Sequence, residues 1–200
     1  MIHNKPEMDE KQAVACLKLN DPAGLEALVG LYQVKAVYAA YLIVRERSLA
    51  EDVVQAAFLR AYERIGQFDE TRPFGPWFLR SVVNASIDAA KQLDRFISLD
   101  EEDESAQAPD WLVQDLPCPE DFVETTETRQ AVRHALDQLT AEQRAAIVLR
   151  HFLDMSETEM TVHLQRPPST IKWRLHEARR RLRDLLRGFW LLESQDQKEE

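Results

Sequence analysis

The 200-residue sequence has little glycine and little cysteine, and each shortage excludes a class of protein. Five glycines are too few for glycine-rich phosphate loops or for a β architecture rich in tight turns. The two cysteines, Cys16 and Cys118, lie far apart and form neither a CxxC motif nor a zinc-ligand spacing. Residues 1–10 lack the apolar core of a signal peptide, and no apolar run approaches the roughly 18 residues of a membrane span. We therefore expect a reduced, cytoplasmic protein with no metal, no cofactor and no membrane insertion.

Charge is distributed unevenly along the chain. The net charge of −10 at first argues against nucleic-acid binding. However, residues 99–128 contain 11 acidic and no basic side chains, whereas residues 129–187 contain 12 basic and 7 acidic ones. The acidity is thus concentrated in one segment, and the part of the chain that follows it is cationic.

The acidic segment predicts a linker, residues 97–128, between two helical domains. It contains the run Asp100–Glu104 and the prolines Pro117 and Pro119, and it shows no helical period. Repulsion among the carboxylates and the two prolines should keep it extended. About 30 residues at ~3.3 Å each reach on the order of 100 Å, so the two domains could contact separate sites on one long partner.

The first domain, residues 21–96, predicts three helices after an N-terminal segment of residues 1–20. Asp21-Pro22 is typical of a helix start, and Ser48 with Glu51 forms a capping-box pattern for a second helix that runs to about residue 65. An aromatic and proline-rich loop, residues 66–76, then precedes a third helix. Spacing predicts that this helix buries one face, formed by Leu79, Val82, Val83, Ser86 and Ala90.

The second domain, residues 129–187, predicts a helix-turn-helix unit, with a polar tail at residues 188–200. Capping boxes at Thr140/Gln143 and Ser156/Glu159 open two helices, and Ser169 is placed to cap a long final helix. That final helix has a narrow apolar stripe: Ile171, Leu175, Ala178, Leu182 and Leu185. Basic residues and Trp173 lie off the stripe, which favours DNA binding over a merely solvated cationic face.

These motifs together resemble the extracytoplasmic-function (ECF) sigma factors of bacterial RNA polymerase. Residues 135–186 resemble the fourth conserved sigma region, through Leu136-x-x-Leu139, Gln143-Arg144, Glu159-Met160, Thr170-Ile171-Lys172 and Glu177-Ala178-Arg179. Residues 51–61, EDVVQAAFLRA, resemble the core-binding helix of the second region, and Trp77-Phe78-Leu79-Arg80 with Asn84 and Asp88 resembles its promoter-opening part. The third region of larger sigma factors is absent and the linker stands in its place, as in the ECF layout.

The resemblance implies an all-α fold of two small helical domains, sigma region 2 and sigma region 4, joined by the acidic linker. It also implies an alternative sigma factor, not an enzyme, whose partners are core RNA polymerase, promoter DNA and an anti-sigma factor. The implied core-binding residues are Asp52, Gln55, Phe58 and Leu59. Those implied for the minus-ten element are Phe68, Phe74, Trp77, Arg80, Asn84, Asp88 and Lys91. Those implied for the minus-thirty-five element are Ser169, Thr170, Lys172, Trp173, Arg174, His176, Arg179 and Arg180.

Some of these residues have a second interpretation that the sequence leaves open. Phe58, Phe68, Phe74 and Trp77 could each be core residues, and Asp52 could simply favour the first turn of its helix through the helix dipole. The acidic linker is either a solvated spacer or a segment that threads the RNA channel of the polymerase. A helix-turn-helix regulator that does not act through core polymerase would explain the second domain but not the first.

The sequence also departs from the family pattern at three places. Only Lys91 and Arg95 follow Asp88 where several arginines are usual, Ser169 replaces a usual glycine, and Trp173 stands where a small or polar residue is common. We therefore expect an unusual upstream promoter sequence and altered contacts with melted DNA.

Overall fold

The structure is a computed structural model that describes residues 8–97 and 126–196, and these residues form eight α-helices and no strand. The predicted all-α fold is confirmed. Most of the predicted acidic linker lies outside the described residues. The helices are α1 Glu10–Lys18, α2 Pro22–Val44, α3 Arg47–Arg64, α4 Phe74–Ile97, α5 Thr126–Asp137, α6 Ala141–Ile147, α7 Glu157–Leu164 and α8 Pro168–Asp196.

Helices α1 to α4 form the first helical unit, with α2 at its centre. Helix α2 packs against α1, α3 and α4 and contributes Leu28, Ala36, Ala40 and Val44 to their shared core. An 18-residue window of this 23-residue helix has a mean hydropathy of 1.6, so the helix is long and apolar enough to cross a membrane by length and composition alone. In this fold the helix is the core helix of its unit.

The start of α2 is as predicted, whereas the predicted start of α3 is wrong. Asp21 caps α2 by accepting a hydrogen bond from the backbone N–H of Ala23 at 2.9 Å. Helix α3 instead begins after Glu46, whose carboxylate accepts hydrogen bonds from the N–H groups of Ser48 and Leu49. Because Glu46 occupies the cap, the expected Ser48 capping box does not form, and Glu51 pairs with Arg47 at 2.9 Å.

Helix α4 begins at Phe74, inside the segment predicted as a loop. Its predicted buried face is confirmed, since Leu79, Val82, Val83, Ser86 and Ala90 are all buried. Its first turn carries an aromatic cluster in which Phe74 lies 5.5 Å from Trp77 and 5.6 Å from Phe78 between ring centroids. Helix α1, which the sequence analysis did not predict, covers this end of the unit.

Helices α5 to α8 form the second unit. The predicted capping boxes at Thr140/Gln143 and Ser156/Glu159 are both present. Helix α6 continues into a π-helical turn, Val148–Phe152, where a regular helix was expected. Helix α8 begins at Pro168, one residue before the predicted cap Ser169, because proline at the first position has a helical φ and needs no N–H partner. The helix extends through residues 188–196, part of the expected polar tail.

The two units pack against each other. Ala39 and Ile43 on α2, and Val83 and Ile87 on α4, are buried in one apolar cluster with residues of the second unit. The second unit contributes Ala145, Ala146, Val148, Leu149, Met160, Ile171 and Leu175 to this cluster. The described helices therefore share a continuous apolar interior across the boundary between the units.

Candidate nucleic-acid interface

The outer face of α3 is the first surface that the sequence analysis singled out. Asp52, Gln55 and Leu59 are exposed along one side of the helix, while Val53, Val54 and Ala57 are buried on the other. The fourth residue predicted for this surface lies in the core, because Phe58 is buried and stacks on Phe78 with 4.3 Å between ring centroids. The structure thus brings three of the four predicted residues to one accessible face.

Tyr62 also belongs to this face, although it was not among the predicted residues. Tyr62 lies three positions after Leu59, which places both on the same side of α3. Leu59 is 56% exposed and Tyr62 is 39% exposed, so both leave large apolar surface in contact with water. Asp52, Gln55, Leu59 and Tyr62 follow one another at three- and four-residue steps, and this spacing would have predicted Tyr62 as a member of the face.

A second surface runs along α4. Asn84 and Asp88 are exposed, and Arg80 and Lys91 are half-buried on the same side of the helix. Phe68 and Phe74 are instead only 5% and 1% exposed, within the aromatic cluster of the first unit. Trp77 is half-buried, and its ring lies 5.1 Å from that of Phe68. The polar members of the predicted minus-ten set are therefore accessible at the surface of α4, while two of its aromatic members are core residues here.

The α4 surface is one wall of a cleft between the two units. Lys91 Nζ lies 2.6 Å from Glu142 Oε1 of α6. Partial burial acts to raise the pKa of Glu142, but the hydrogen bond from Lys91, a backbone hydrogen bond and the charges of Lys91 and Arg174 together lower that pKa below its usual value. The side chains that line the cleft are Asn84, Ile87, Asp88, Lys91, Glu142, His163, Leu164, Gln165, Arg166 and Arg174.

His163 of α7 lies at the bottom of this cleft. Burial, and to a lesser extent the nearby guanidinium of Arg80, lower the pKa of His163 from 6.5 to about 4. Its Nε2 is buried and has no hydrogen-bond partner in the part of the chain that the structure describes. The imidazole is therefore neutral near pH 7, in a place where a proton would be unfavourable.

The third surface is the outer face of α8. Ser169, Lys172, Trp173, His176, Arg179 and Arg180 are exposed, whereas Thr170 and Arg174 are half-buried. The opposite face is buried through Ile171, Leu175 and Ala178, as the spacing predicted. Trp173 is 63% exposed, an unusual position for so large an apolar side chain. This face combines cationic side chains with one exposed indole, and it lies on the second helix of the helix-turn-helix.

The charged groups of α8 differ in how far they are already paired. The guanidinium of Arg180 donates to Glu177 at 2.6 Å, and Nη2 of Arg179 lies 3.4 Å from Nε2 of His151. Such exposed pairs contribute little to stability. A DNA phosphate could therefore replace Glu177 or His151 as the partner of the arginine at low energetic cost. The face can therefore present several bidentate donors to an anionic backbone or to guanine edges.

Comparison with known proteins agrees with this layout. The family model for Sigma-70 region 2 matches residues 28–96, and the model for Sigma-70 region 4 matches residues 129–182. The ECF RNA polymerase sigma factor SigW of Bacillus subtilis is 31% identical over 184 residues, which cover 90% of this chain and 98% of that protein. The ECF RNA polymerase sigma-E factor of Escherichia coli is 26% identical and covers 86% of this chain and 92% of its own length.

Solved structures show the same fold. CnrH in complex with the cytosolic domain of CnrY matches with a TM-score of 0.61 at 22% identity, over 90% of this chain and 97% of that one. The sigma factor RpoE of Bartonella quintana, in complex with the anti-sigma factor NepR, also matches with a TM-score of 0.61. Its sequence identity is 23%, and the match covers 81% of this chain and 94% of that one. The matched region 2, together with region 4, accounts for both helical units, whereas a plain helix-turn-helix regulator leaves the first unit unexplained. The chain therefore belongs to the ECF sigma factors, a family of transcription initiation factors and not of enzymes.

Proposed function

We propose that this protein is a cytoplasmic alternative sigma factor that binds core RNA polymerase through the outer face of α3 and reads promoter DNA through α4 and α8. The observation that carries the polymerase contact is the exposure of Leu59 and Tyr62 beside Asp52 and Gln55. Exposed apolar side chains flanked by polar ones are typical of a protein-binding surface. We call the surface formed by Asp52, Gln55, Leu59 and Tyr62 the α3 face.

The polymerase contact is tested by a double substitution, Asp52→Ala with Gln55→Ala. Both side chains are exposed, so the helical content and the melting temperature should stay within error of the wild type. We expect the affinity for core polymerase, measured by fluorescence anisotropy, to fall by about tenfold or more. Arg64→Ala, at the exposed C-terminal end of the same helix, serves as the control. Normal binding by the folded double variant would show that the α3 face is not the polymerase contact.

The proposed role in promoter opening is based on the polar side chains along one side of α4. Asn84, Asp88 and Arg80 provide donors and acceptors that can read the edge of an unstacked base, and Trp77 offers part of an aromatic surface beside them. In this proposal Phe68 and Phe74 support that surface from the core. We expect Asn84→Ala to reduce strand opening, followed by 2-aminopurine fluorescence, more than it reduces recruitment of the polymerase. Full opening by a folded Asn84→Ala protein would remove this residue from base recognition.

Regulation by an anti-sigma factor is part of the same proposal. It is supported by the fold shared with two sigma factors solved in complex with such partners or their domains. A candidate contact is the outer side of α2, where Leu31 is 52% and Val34 is 44% exposed. We expect Leu31→Lys with Val34→Lys to weaken capture of a co-expressed anti-sigma factor while leaving core polymerase binding unchanged. If the double variant captures the anti-sigma factor as well as the wild type does, this side of α2 is not the contact.

A further inference from the structure

The loop between Phe68 and Phe74 lies at the edge of the surface that we expect to capture an unstacked base. Both phenylalanines are buried in the aromatic cluster of the first unit, whereas residues 69–73 between them are all exposed. The ring of Trp77 lies 5.1 Å from that of Phe68 and 5.5 Å from that of Phe74 between centroids. The loop and the half-buried indole are therefore neighbours, and a base stacked on the indole would lie next to the loop.

Asp69 folds this loop into a turn. Its carboxylate accepts hydrogen bonds from the backbone N–H of Thr71 at 3.0 Å and from the Thr71 hydroxyl at 2.6 Å. The carbonyl oxygen of Asp69 accepts a third hydrogen bond, from the N–H of Arg72 at 3.1 Å. Because these bonds are local and exposed to water, they hold the loop only weakly against the rest of the protein. A fixed orientation relative to Trp77 needs contacts from outside the loop.

Helix α1 supplies such contacts at both ends of the loop. The ammonium of Lys18 donates to the carbonyl oxygen of Phe68 at 2.9 Å and pairs with the carboxylate of Glu70 at 2.6 Å. At the other end, Glu10 accepts a hydrogen bond from the N–H of Phe74 at 2.9 Å. Lys18 and Glu10 lie at opposite ends of α1, about 12 Å apart along its axis at 1.5 Å per residue. One helix thus holds both ends of the loop.

Helix α1 is itself fixed to the core of the first unit. Ala13, Val14 and Leu17 are buried in that core. Gly24 of α2 lies so close to α1 that a Cβ there would be 2.4 Å from the carbonyl oxygen of Ala13. Such close packing leaves the helix little freedom to shift. The ammonium of Lys18 therefore reaches the loop from a rigid support.

A direct contact between Lys18 and DNA fits the geometry less well. The Lys18 side chain is only 25% exposed, and its charge is already paired with Glu70. A DNA phosphate would have to displace the Glu70 carboxylate before it could bind the ammonium. The contacts of Lys18 thus favour a role in supporting the loop over a role in binding the DNA backbone.

We propose that Lys18 is a positioning residue for base recognition, which holds the loop of residues 69–73 in the orientation that binds an unstacked minus-ten base beside Trp77. Recognition of a base requires its contacts to be placed within about 0.5 Å, which an unsupported loop does not achieve. The proposal rests on the proposed function, because it assumes that the first unit reads the melted strand. It extends base recognition to α1, a helix that lies outside the residues matched by Sigma-70 region 2.

Hydrogen–deuterium exchange tests the support of the loop without polymerase or DNA. Lys18→Met keeps the apolar stem of the side chain and removes the ammonium. We expect the amides of residues 69–72 to exchange about tenfold faster in Lys18→Met than in the wild type. Lys18→Arg can donate to the same two oxygens and should exchange like the wild type, as should Lys11→Met on the exposed side of α1. Equal exchange in all four proteins would overturn the proposal.

Removal of single bases tests the effect on recognition. The probe is a single strand with the non-template minus-ten sequence of a promoter that the holoenzyme selects from random DNA, made abasic at one position at a time. With the wild type, loss of the captured base should weaken binding by about tenfold, because its stacking is lost. With Lys18→Met the same change should cost about threefold or less, and Lys18→Arg should restore the full penalty. A full penalty in a folded Lys18→Met protein would overturn the proposal, whatever its exchange rates.

Two comparisons separate positioning from lower stability and from a direct contact. Val148→Ala lowers stability from within the second unit, where Val148 is buried, and should keep the full abasic penalty. A reduced penalty in that variant as well would assign the effect to stability and overturn the proposal. If Lys18 bound a phosphate, Lys18→Met would instead change the slope of log affinity against log salt concentration by about 0.7 and leave the penalty unchanged.

The same measurements distinguish failure of this inference from failure of the proposed function. A wild-type holoenzyme with no abasic penalty at any position would refute the proposed base reading, and this inference with it. A penalty that the wild type shows and Lys18→Met retains would refute only the role of Lys18.

Discussion

The carboxylate of Glu10 accepts a hydrogen bond from the backbone N–H of Phe74 at 2.9 Å, so a side chain of α1 caps α4 from 64 positions away. The same carboxylate accepts a hydrogen bond from the hydroxyl of Tyr32 on α2. One acidic residue thus joins three helices beside the aromatic cluster that the proposed base-reading segment depends on.

This relationship predicts that Glu10→Ala lowers the free energy of unfolding by about 1–2 kcal/mol, the usual cost of losing a helix N-cap. Urea denaturation followed by circular dichroism measures the change. The control is Lys11→Ala, an exposed position of the same helix, which should stay within ~0.5 kcal/mol of the wild type. Equal stability of the two variants would mean that the cap contributes nothing.

The two glycines of α2 predict opposite effects of alanine. A Cβ on Gly24 would lie 2.4 Å from the carbonyl oxygen of Ala13 and 2.6 Å from the amide nitrogen of Leu17, both backbone atoms of α1. A Cβ on Gly30 would meet nothing within 4 Å. We expect Gly24→Ala to destabilise the protein by roughly 1–3 kcal/mol through forced displacement of α1. Gly30→Ala should stabilise it by about 0.5–1 kcal/mol, because alanine favours a helix.

Thermal melts of the two glycine variants provide the comparison. A Gly24→Ala protein as stable as Gly30→Ala would contradict the close packing of α1 on α2. Binding of core polymerase should stay intact in both, since neither glycine lies on the α3 face.

His163 predicts that stability falls with acidity. In the unfolded chain the imidazole takes up its proton near pH 6.5, whereas in the folded protein its pKa is about 4. Between these values the unfolded state binds more protons, so the free energy of unfolding decreases as the pH falls from 6.5 towards 4. The expected loss is about 1.4 kcal/mol per pH unit within this window. The other ionisable side chains of the cleft are Asp88, Lys91, Glu142, Arg166 and Arg174, and Arg80 lies close by.

Urea unfolding at pH 7.0 and pH 5.0 measures this dependence. His163→Gln cannot take up the proton, so its stability should change less between the two pH values than that of the wild type. His176→Gln, on the exposed face of α8, should keep the dependence of the wild type. The assignment to His163 would be wrong if all three proteins lost the same stability.

Trp173 predicts recognition of a thymine methyl group by α8. The apolar rings of its exposed indole carry no charge to attract a phosphate, but they can cover the methyl group of a thymine in the major groove. Removing one buried methyl-sized group costs about 0.8 kcal/mol, roughly a fourfold loss of affinity. We expect deoxyuridine in place of one thymidine of a selected minus-thirty-five duplex to weaken binding by wild-type protein to that extent.

Two matched variants distinguish the contact with the thymine methyl group from non-specific electrostatic binding to DNA. Trp173→Ala should bind less tightly and be insensitive to deoxyuridine at that position. Lys172→Ala should bind less tightly but remain sensitive, because it removes a charge and leaves the indole in place. If no thymidine in the duplex shows the effect with wild-type protein, Trp173 does not read a methyl group.

Helix spacing alone correctly predicted which side chains share a face. Asp52, Gln55 and Leu59 share an exposed face, and the apolar stripe of α8 is buried, because three- and four-residue periods define helix faces without reference to other elements. Helix spacing did not predict whether the aromatic residues are buried or exposed. Phe58, Phe68 and Phe74 are suitable either for a core or for a binding surface, and only their contacts with α1, α2 and α4 place them inside.

The helical composition, the two capping boxes at Thr140 and Ser156, and the resemblance to a sigma factor could all be predicted from local sequence patterns. Each depends on residues within a few positions of one another, where backbone geometry leaves few alternatives. The choice between Glu46 and Ser48 as the cap of α3 is also local, but the sequence offers both residues and the structure uses Glu46. Long-range contacts bring Glu10 to the start of α4 and Lys91 to Glu142. These two pairings join residues far apart in the sequence, so they depend on which competing partners the fold brings within hydrogen-bonding distance.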